Sequence, residues 1–115
     1  MNQEEIRDYC ISKPGVTESF PFNDTALVFK VAGKMFALLD LSTDNNGLSL
    51  KCDPGLAIEL REQHPEVTPA YHFNKQHWNG ITLTGNLSSA NIKSWIDHSY
   101  SLIVASLPRA KRESL

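Results

Sequence analysis

Residues 71–79 read YHFNKQHWN and bring two histidines, a lysine, two asparagines and a tryptophan within nine positions. An imidazole can serve as a metal ligand or general base, an ammonium can neutralise phosphate, and an indole can stack on a base. Three chemistries therefore have to be weighed on this stretch: metal binding, acid–base catalysis and nucleic-acid contact.

A metal centre needs three or four converging ligands, and the candidates are Cys10, Cys52, His64, His72, His77 and His98. Their spacing argues against one. His72 and His77 are separated by an odd number of positions, which on a strand puts them on opposite faces, and there is no CxxC, HxxxH or HExxH pair. Glu4, Glu5 and Asp8 form an acidic group on the first helix, but the glutamates fall in its first turn, where they complement the helix dipole. Neither a metal nor a cofactor is expected.

The order His72, Asn74, His77 parallels nucleases that orient a histidine base with an asparagine, but those enzymes also carry a cation site, and no carboxylate lies in this stretch. Cys52 precedes a helix start, a position that can activate a thiol. Its alternation with Leu48 and Leu50 instead predicts burial, and Cys10 also falls on an apolar face, so both are read as reduced core residues. No catalytic residue is assigned. Two alternatives to a binding module stay open: an enzyme acting on a small polar ligand with His77 or His72 as general base, and a protein–protein adaptor using an open sheet face or edge strand.

The nucleic-acid reading uses Lys75 as a phosphate contact, Asn74, His72 and His77 as hydrogen-bonding groups and Trp78 as a stacking surface. Lys30, Lys34 and Lys51 on predicted hairpins would act as wings. A structural reading competes with it: Asn74 fixing a turn through its own backbone, Trp78 anchoring the loop, and His72 or His77 satisfying buried backbone groups. With 11 basic against 13 acidic residues the formal net charge is −2, so there is no global cationic field and any nucleic-acid contact must rest on a local patch.

The elements that would position these residues are read from caps and periodicity. Asn2 followed by Glu5 predicts a capping box, with a helix running until Pro14-Gly15. The segment Phe20–Asp24 has turn character, and its phenylalanines are expected to plug the core. From Thr25 the period becomes two, with Leu27, Phe29 and Val31 alternating. Ala32-Gly33-Lys34 then turns the chain into an apolar run from Met35 to Leu41, and Asp44-Asn45-Asn46-Gly47 leads into a third strand through Leu48, Leu50 and Cys52. Asp53-Pro54 starts a second helix that ends by His64. Val67–Phe73 and Ile81–Thr84 read as strands joined by the quoted stretch. Ser88 or Ser89 caps a long last helix whose inner face carries Ile92, Trp95, Ile96, Ser99, Ile103 and Leu107, with a basic tail beyond Pro108.

This order implies an α+β domain, an antiparallel sheet covered on one face by helices with the other face half-solvated. At 115 residues and 41% hydrophobic the chain suits one domain, 1–115. No window of about 18 apolar residues exists, and the N-terminus is acidic where a secretory signal would be basic, so no membrane partner and a cytoplasmic location are expected.

The stretches YCISKPG (9–15), LSLKCDP (48–54), HFNKQHW (72–78) and SYSLIVASLP with AKR behind it (99–112) together resemble the MmcQ/YjbR family of small bacterial proteins along nearly the whole chain. His72, Asn74, Lys75, His77 and Trp78 form its most specific element. The resemblance implies a frataxin-like two-layer sandwich, a twisted antiparallel sheet flanked by the N-terminal and C-terminal helices. It also implies DNA as a partner, through a double-wing arrangement of hairpins, and supplies no catalytic mechanism.

Overall fold

In the computed structural model, which describes residues 1–42, 47–70 and 73–115, the three longer helices begin where side chains satisfy free backbone N–H groups. Helix α1 (Gln3–Ile11) opens on a complete capping box: Glu5 N–H donates to Asn2 Oδ1 at 2.8 Å and Asn2 N–H donates to Glu5 Oε1 at 3.1 Å. Asp53 caps α2 (Pro54–Gln63) by accepting from Leu56 N–H at 3.2 Å, and Ser88 caps α3 (Ser89–Ser106) by accepting from Asn91 N–H at 3.1 Å. The basic tail beyond Pro108 forms a further short helix, α4 (Arg109–Glu113), in which Arg109 pairs with Glu113. The turn expected over Asp44, Asn45 and Asn46 lies outside the described residues.

Six strands form one antiparallel sheet: β1 (Val16–Ser19), β2 (Ala26–Val31), β3 (Lys34–Asp40), β4 (Gly47–Lys51), β5 (Val67–Pro69) and β6 (Trp78–Thr82), in the order β1-β2-β3-β4-β6-β5. The pattern does not predict β1, since Val16 is its one apolar residue and its place at the edge demands no second buried side chain. Ala32 (φ 50°) and Gly33 (φ 80°) link β2 to β3; positive φ at both central residues gives the tight turn that matches strand twist.

Because side chains alternate along a strand, Leu27, Phe29, Val31, Ala37, Leu39, Leu48, Leu50 and Ile81 all face one side. There they form one core with Ile6 and Cys10 of α1, Ala57 and Leu60 of α2, and Ile92, Trp95, Ile96 and Ile103 of α3. Ser99 occupies the same α3 stripe and is fully buried. Its hydroxyl donates to Phe36 C=O at 2.5 Å and accepts from Lys51 N–H at 3.0 Å, tying the helix to both β3 and β4.

The first and last longer helices are clasped together by polar groups at the edge of this core. Tyr9 O–H donates to Asp97 Oδ1 at 2.7 Å, and Lys13 pairs with the same oxygen. The Lys13 ammonium lies 4.8 Å from the Tyr9 ring centre and 5.2 Å from that of Tyr100, whose O–H donates to Pro14 C=O at 2.6 Å. Tyr9, Lys13 and Pro14 of the stretch 9–15 and Tyr100 of the stretch 99–108 thus serve this helix–helix contact.

On the other face of the sheet, Ser19, Val28, Leu38, Ser49, Gly80 and Thr68 form one row across all six strands. Lys30, Lys51 and Trp78 lie one pleat to one side of that row, and Ala26, Asp40, Gly47 and Thr82 lie one pleat to the other. The expected core role of Phe20 and Phe22 is corrected: they are 48% and 66% exposed. Asn23 Oδ1 accepts from the N–H groups of Thr25 (2.9 Å) and Ala26 (2.8 Å), which turns the chain into β2 while the phenylalanines remain on the outside.

Candidate functional site

The β5–β6 connection is built by main-chain bonds that its sequence specifies. Asn74 Oδ1 accepts from Gln76 N–H at 2.9 Å, and Asn74 C=O accepts from His77 N–H at 3.1 Å, which closes a tight turn. His77 C=O in turn accepts from Cys52 N–H at 2.7 Å, so the turn is tied to the end of β4. Arg61 of α2 reaches across to donate from Nε to Asn79 Oδ1 at 2.7 Å and from Nη2 to the carbonyls of Lys75 and Trp78. A single guanidinium therefore ties three points of the stretch 75–79 to α2, and it suits the task because its planar fork presents several donors at once.

This latch fixes Trp78 at the first position of β6, directly across from Lys51 of β4, and both project from the helix-free face. Phe73 stacks on the Trp78 ring with centroids 4.7 Å apart and planes 24° from parallel. Lys30 of β2 lies on the same face and at the same height along the strands. Lys30, Lys51, Trp78 and Phe73 thus form a strip that combines two ammonium groups with an aromatic stack. Lys75 is exposed in the adjoining turn.

The structure does not gather all the sequence candidates. Lys34 sits on the other side of the pleat from Lys30, and its ammonium approaches Ser106 Oγ at 3.4 Å at the end of α3, so it belongs to the helix layer. Asn74 is occupied in shaping the turn, and His77 contributes main-chain bonds. His72 lies outside the described residues. The remaining histidines serve the packing: the ring of His64 meets Trp95 edge-on at 5.1 Å, and His98 Nε2 accepts from Asp53 N–H at 3.1 Å, steadying the start of α2. Among the described residues, no group of three His, Cys, Asp or Glu side chains is placed to hold a metal ion.

Both cysteines are buried and unpaired. Burial pushes the Cys10 thiol up to about 12, and burial with the nearby Asp53 charge pushes Cys52 up to about 11. Neither is a thiolate near neutral pH, which removes the activated-cysteine reading of Cys52.

Beside the cationic strip, the helix-free face carries a concavity of about 460 Å³. Phe22, Phe73, Ala26, Leu38 and Ser49 line it, and Asp40 is the one ionisable group among its described lining residues. Asp40 Oδ1 accepts from Ser42 N–H at 2.9 Å, which orients the carboxylate. Sequence reasoning missed Arg61, Asp40, Phe22 and Phe73. The available signal was the pair of phenylalanines in the turn-rich segment 20–24, an apolar investment that a connecting loop does not require.

A six-stranded antiparallel sheet with its longer helices on one side and a stack of aromatics on the other defines an α+β protein of two layers. The chain belongs to the YjbR family, whose model matches residues 11–102. It is 37% identical over 115 residues to the Escherichia coli K12 protein named uncharacterised protein YjbR, covering 100% of this chain and 98% of the relative. The DUF419-domain protein of Deinococcus radiodurans has the same fold in its crystal structure, with a TM-score of 0.90 at 37% identity, covering 97% of this chain and 86% of that one. A crystal structure from Pseudomonas syringae superposes with a TM-score of 0.77 at 31% identity, over 89% of this chain and 98% of the other. No described helix is long and apolar enough to cross a membrane.

Proposed function

We propose that this protein is a nucleic-acid-binding module that holds a single strand, DNA in the first instance, against the helix-free face of its sheet. The observation that carries the reading is the cross-strand pair Lys51 and Trp78, with Phe73 stacked on the indole and Lys30 beside them. A strand without a partner offers both a charged backbone and exposed base faces, and a surface alternating ammonium groups with aromatic rings complements both.

A duplex is a poorer match. Reading its major groove calls for a helix or two-stranded ribbon that can enter the groove, whereas the three longer helices here bury their apolar faces on the sheet. A net charge of −2 also provides no long-range attraction to a polyanion, so contact falls to the local strip. Two buried, unpaired cysteines suit a reducing compartment such as the cytoplasm.

The test is fluorescence anisotropy of a labelled single-stranded oligonucleotide between about 50 and 200 mM salt. The logarithm of the affinity falls linearly with the logarithm of salt, and Lys51→Ala lowers that slope by about 0.7, the contribution of one phosphate contact to a single strand. Affinity independent of salt, or a slope unchanged in Lys51→Ala, overturns the reading.

A further inference from the structure

The concavity beside the strip, with Asp40 at its edge, has chemistry that the strip lacks, and the structure assigns it a specific occupant: we propose that it is a guanine-selective pocket for a nucleotide whose phosphate lies toward Lys51 and Lys30. This inference rests on the nucleic-acid reading of the same face and names the base that the face selects.

Size and shape come first. A concavity of about 460 Å³ falls in the range of roughly 300–1,000 Å³ typical of small-molecule sites. Phe22 and Phe73 both line it, beside Ala26, Leu38 and Ser49, which share the helix-free face of β2, β3 and β4. Two aromatic side chains in the lining offer stacking surfaces that suit a planar ring system.

Polarity then selects the ring. An ionised carboxylate only accepts hydrogen bonds, and with one bond from Ser42 N–H it retains acceptor sites on its two oxygens. The occupant must therefore present donors at its edge. Guanine alone among the common bases carries two adjacent donors on its Watson–Crick edge, the ring N1–H and the 2-amino group, which match the two oxygens of a carboxylate. Adenine and cytosine set one donor beside an acceptor, and thymine flanks one donor with two carbonyls, so each would bring an acceptor against the carboxylate. Such a mismatch leaves a polar group unpaired, the kind of penalty that gives strong discrimination.

Charge separates a nucleotide from the other ligand that aromatic side chains and a carboxylate could favour, an organic cation. Lys51 lies one pleat beyond Ser49 on the same face, about 7 Å along the strand, and Lys30 flanks it two strands away, about 10 Å across the sheet. These ammonium groups repel a cation and attract a phosphate. A neutral base with a donor edge joined to an anion satisfies Asp40 and the lysines together.

The experiment is calorimetric titration of the full chain with GMP, IMP and AMP, beside anisotropy with an all-thymine oligonucleotide and one carrying a central guanine. Loss of a bidentate base contact is worth about five- to 150-fold, so GMP binds at least about fivefold tighter than AMP. IMP, which lacks the 2-amino group, falls between them, and the guanine oligonucleotide outcompetes the all-thymine one. Asp40→Asn, which keeps an oxygen for Ser42 N–H, collapses the preference. The wild-type selectivity is decisive even if that variant folds poorly. Salt-dependent oligonucleotide binding that ignores guanine, or a guanine preference that survives in folded Asp40→Asn, overturns the pocket while leaving the strand-binding reading intact. Selective GMP binding with no oligonucleotide binding upholds the pocket for free nucleotide and overturns the strand reading. Binding of neither overturns both.

Discussion

Lys51 and Trp78 are direct partners across β4 and β6, and both project from the side of the sheet opposite the longer helices. The pair divides the recognition of a strand into two measurable parts. Lys51→Ala removes a phosphate contact and acts through the salt slope. Trp78→Ala removes a stacking surface, costs about 1–3 kcal/mol for the base that occupies it, and leaves the slope unchanged. Anisotropy titrations of both variants at several salt concentrations check this division.

Arg61 sets the position of that pair from a distance. Its side chain supplies donors to Asn79 Oδ1 and to the carbonyls of Lys75 and Trp78, and Asn79 is only 2% exposed. Arg61→Met leaves a buried acceptor without its partner and costs about 1–3 kcal/mol in urea unfolding. Arg61→Lys does not restore it, because a point ammonium cannot reproduce the fork. Oligonucleotide affinity falls in both variants, since the latch that orients Trp78 is lost.

Ser99 ties the same strand to the helix layer. Ser99→Ala leaves Lys51 N–H and Phe36 C=O without the hydroxyl that serves both, and chemical denaturation should register a loss of about 1–3 kcal/mol. Amide exchange at Lys51 accelerates in the variant, which separates loss of this bond from a general softening of the core.

Stability depends on pH at both ends of the scale. A hydrogen bond to Asp97, then burial and the Asp97 charge, hold the Tyr9 hydroxyl protonated up to about 12, and burial raises Cys10 to about 12 and Cys52 to about 11. The unfolded chain releases these protons first, near 9.0 for the thiols and 10.0 for the phenol. Their contribution is thus complete below about 9 and is lost as pH rises through about 11 to 12. At the acid end, burial alone would raise the Asp97 carboxyl, but hydrogen bonds from Lys13 and Tyr9 and the Lys13 charge outweigh it and hold the carboxyl below its ordinary range. Its contribution is present above the ordinary carboxylate range and is lost as pH falls through the depressed folded value. Urea midpoints across pH show both limbs, and Asp97→Asn flattens the acid limb while lowering stability at neutral pH.

The helices were readable because their signals are local: Asn2 with Glu5, Asp53 with Pro54, and Ser88 each lie within a turn of the N–H groups they cap. The alternation of Leu27, Phe29 and Val31 likewise shows which face of β2 joins the core under the helices. Edge strand β1 was not readable, since Val16 alone gives no alternation. Phe20 and Phe22 were misread because residue type alone does not say which side of the sheet a connection takes. The stretch 72–78 identified the family and contains Trp78, but its pairing with Lys51 depends on the register of β4 against β6. Its fixation by Arg61 depends on where α2 comes to lie. The concavity was beyond a sequence reading for the same reason, because Phe22, Asp40 and Phe73 meet only when three separate segments converge on one face.

The most direct test of the account is an amide chemical-shift map recorded while single-stranded DNA is titrated into the ¹⁵N-labelled protein. Binding at the Lys51–Trp78 pair concentrates the shifts at Lys30, Ser49, Lys51, Phe73 and Trp78, on the helix-free face, and they fade as salt is raised. Shifts centred on α1 and α3, or none at saturating DNA, would contradict it.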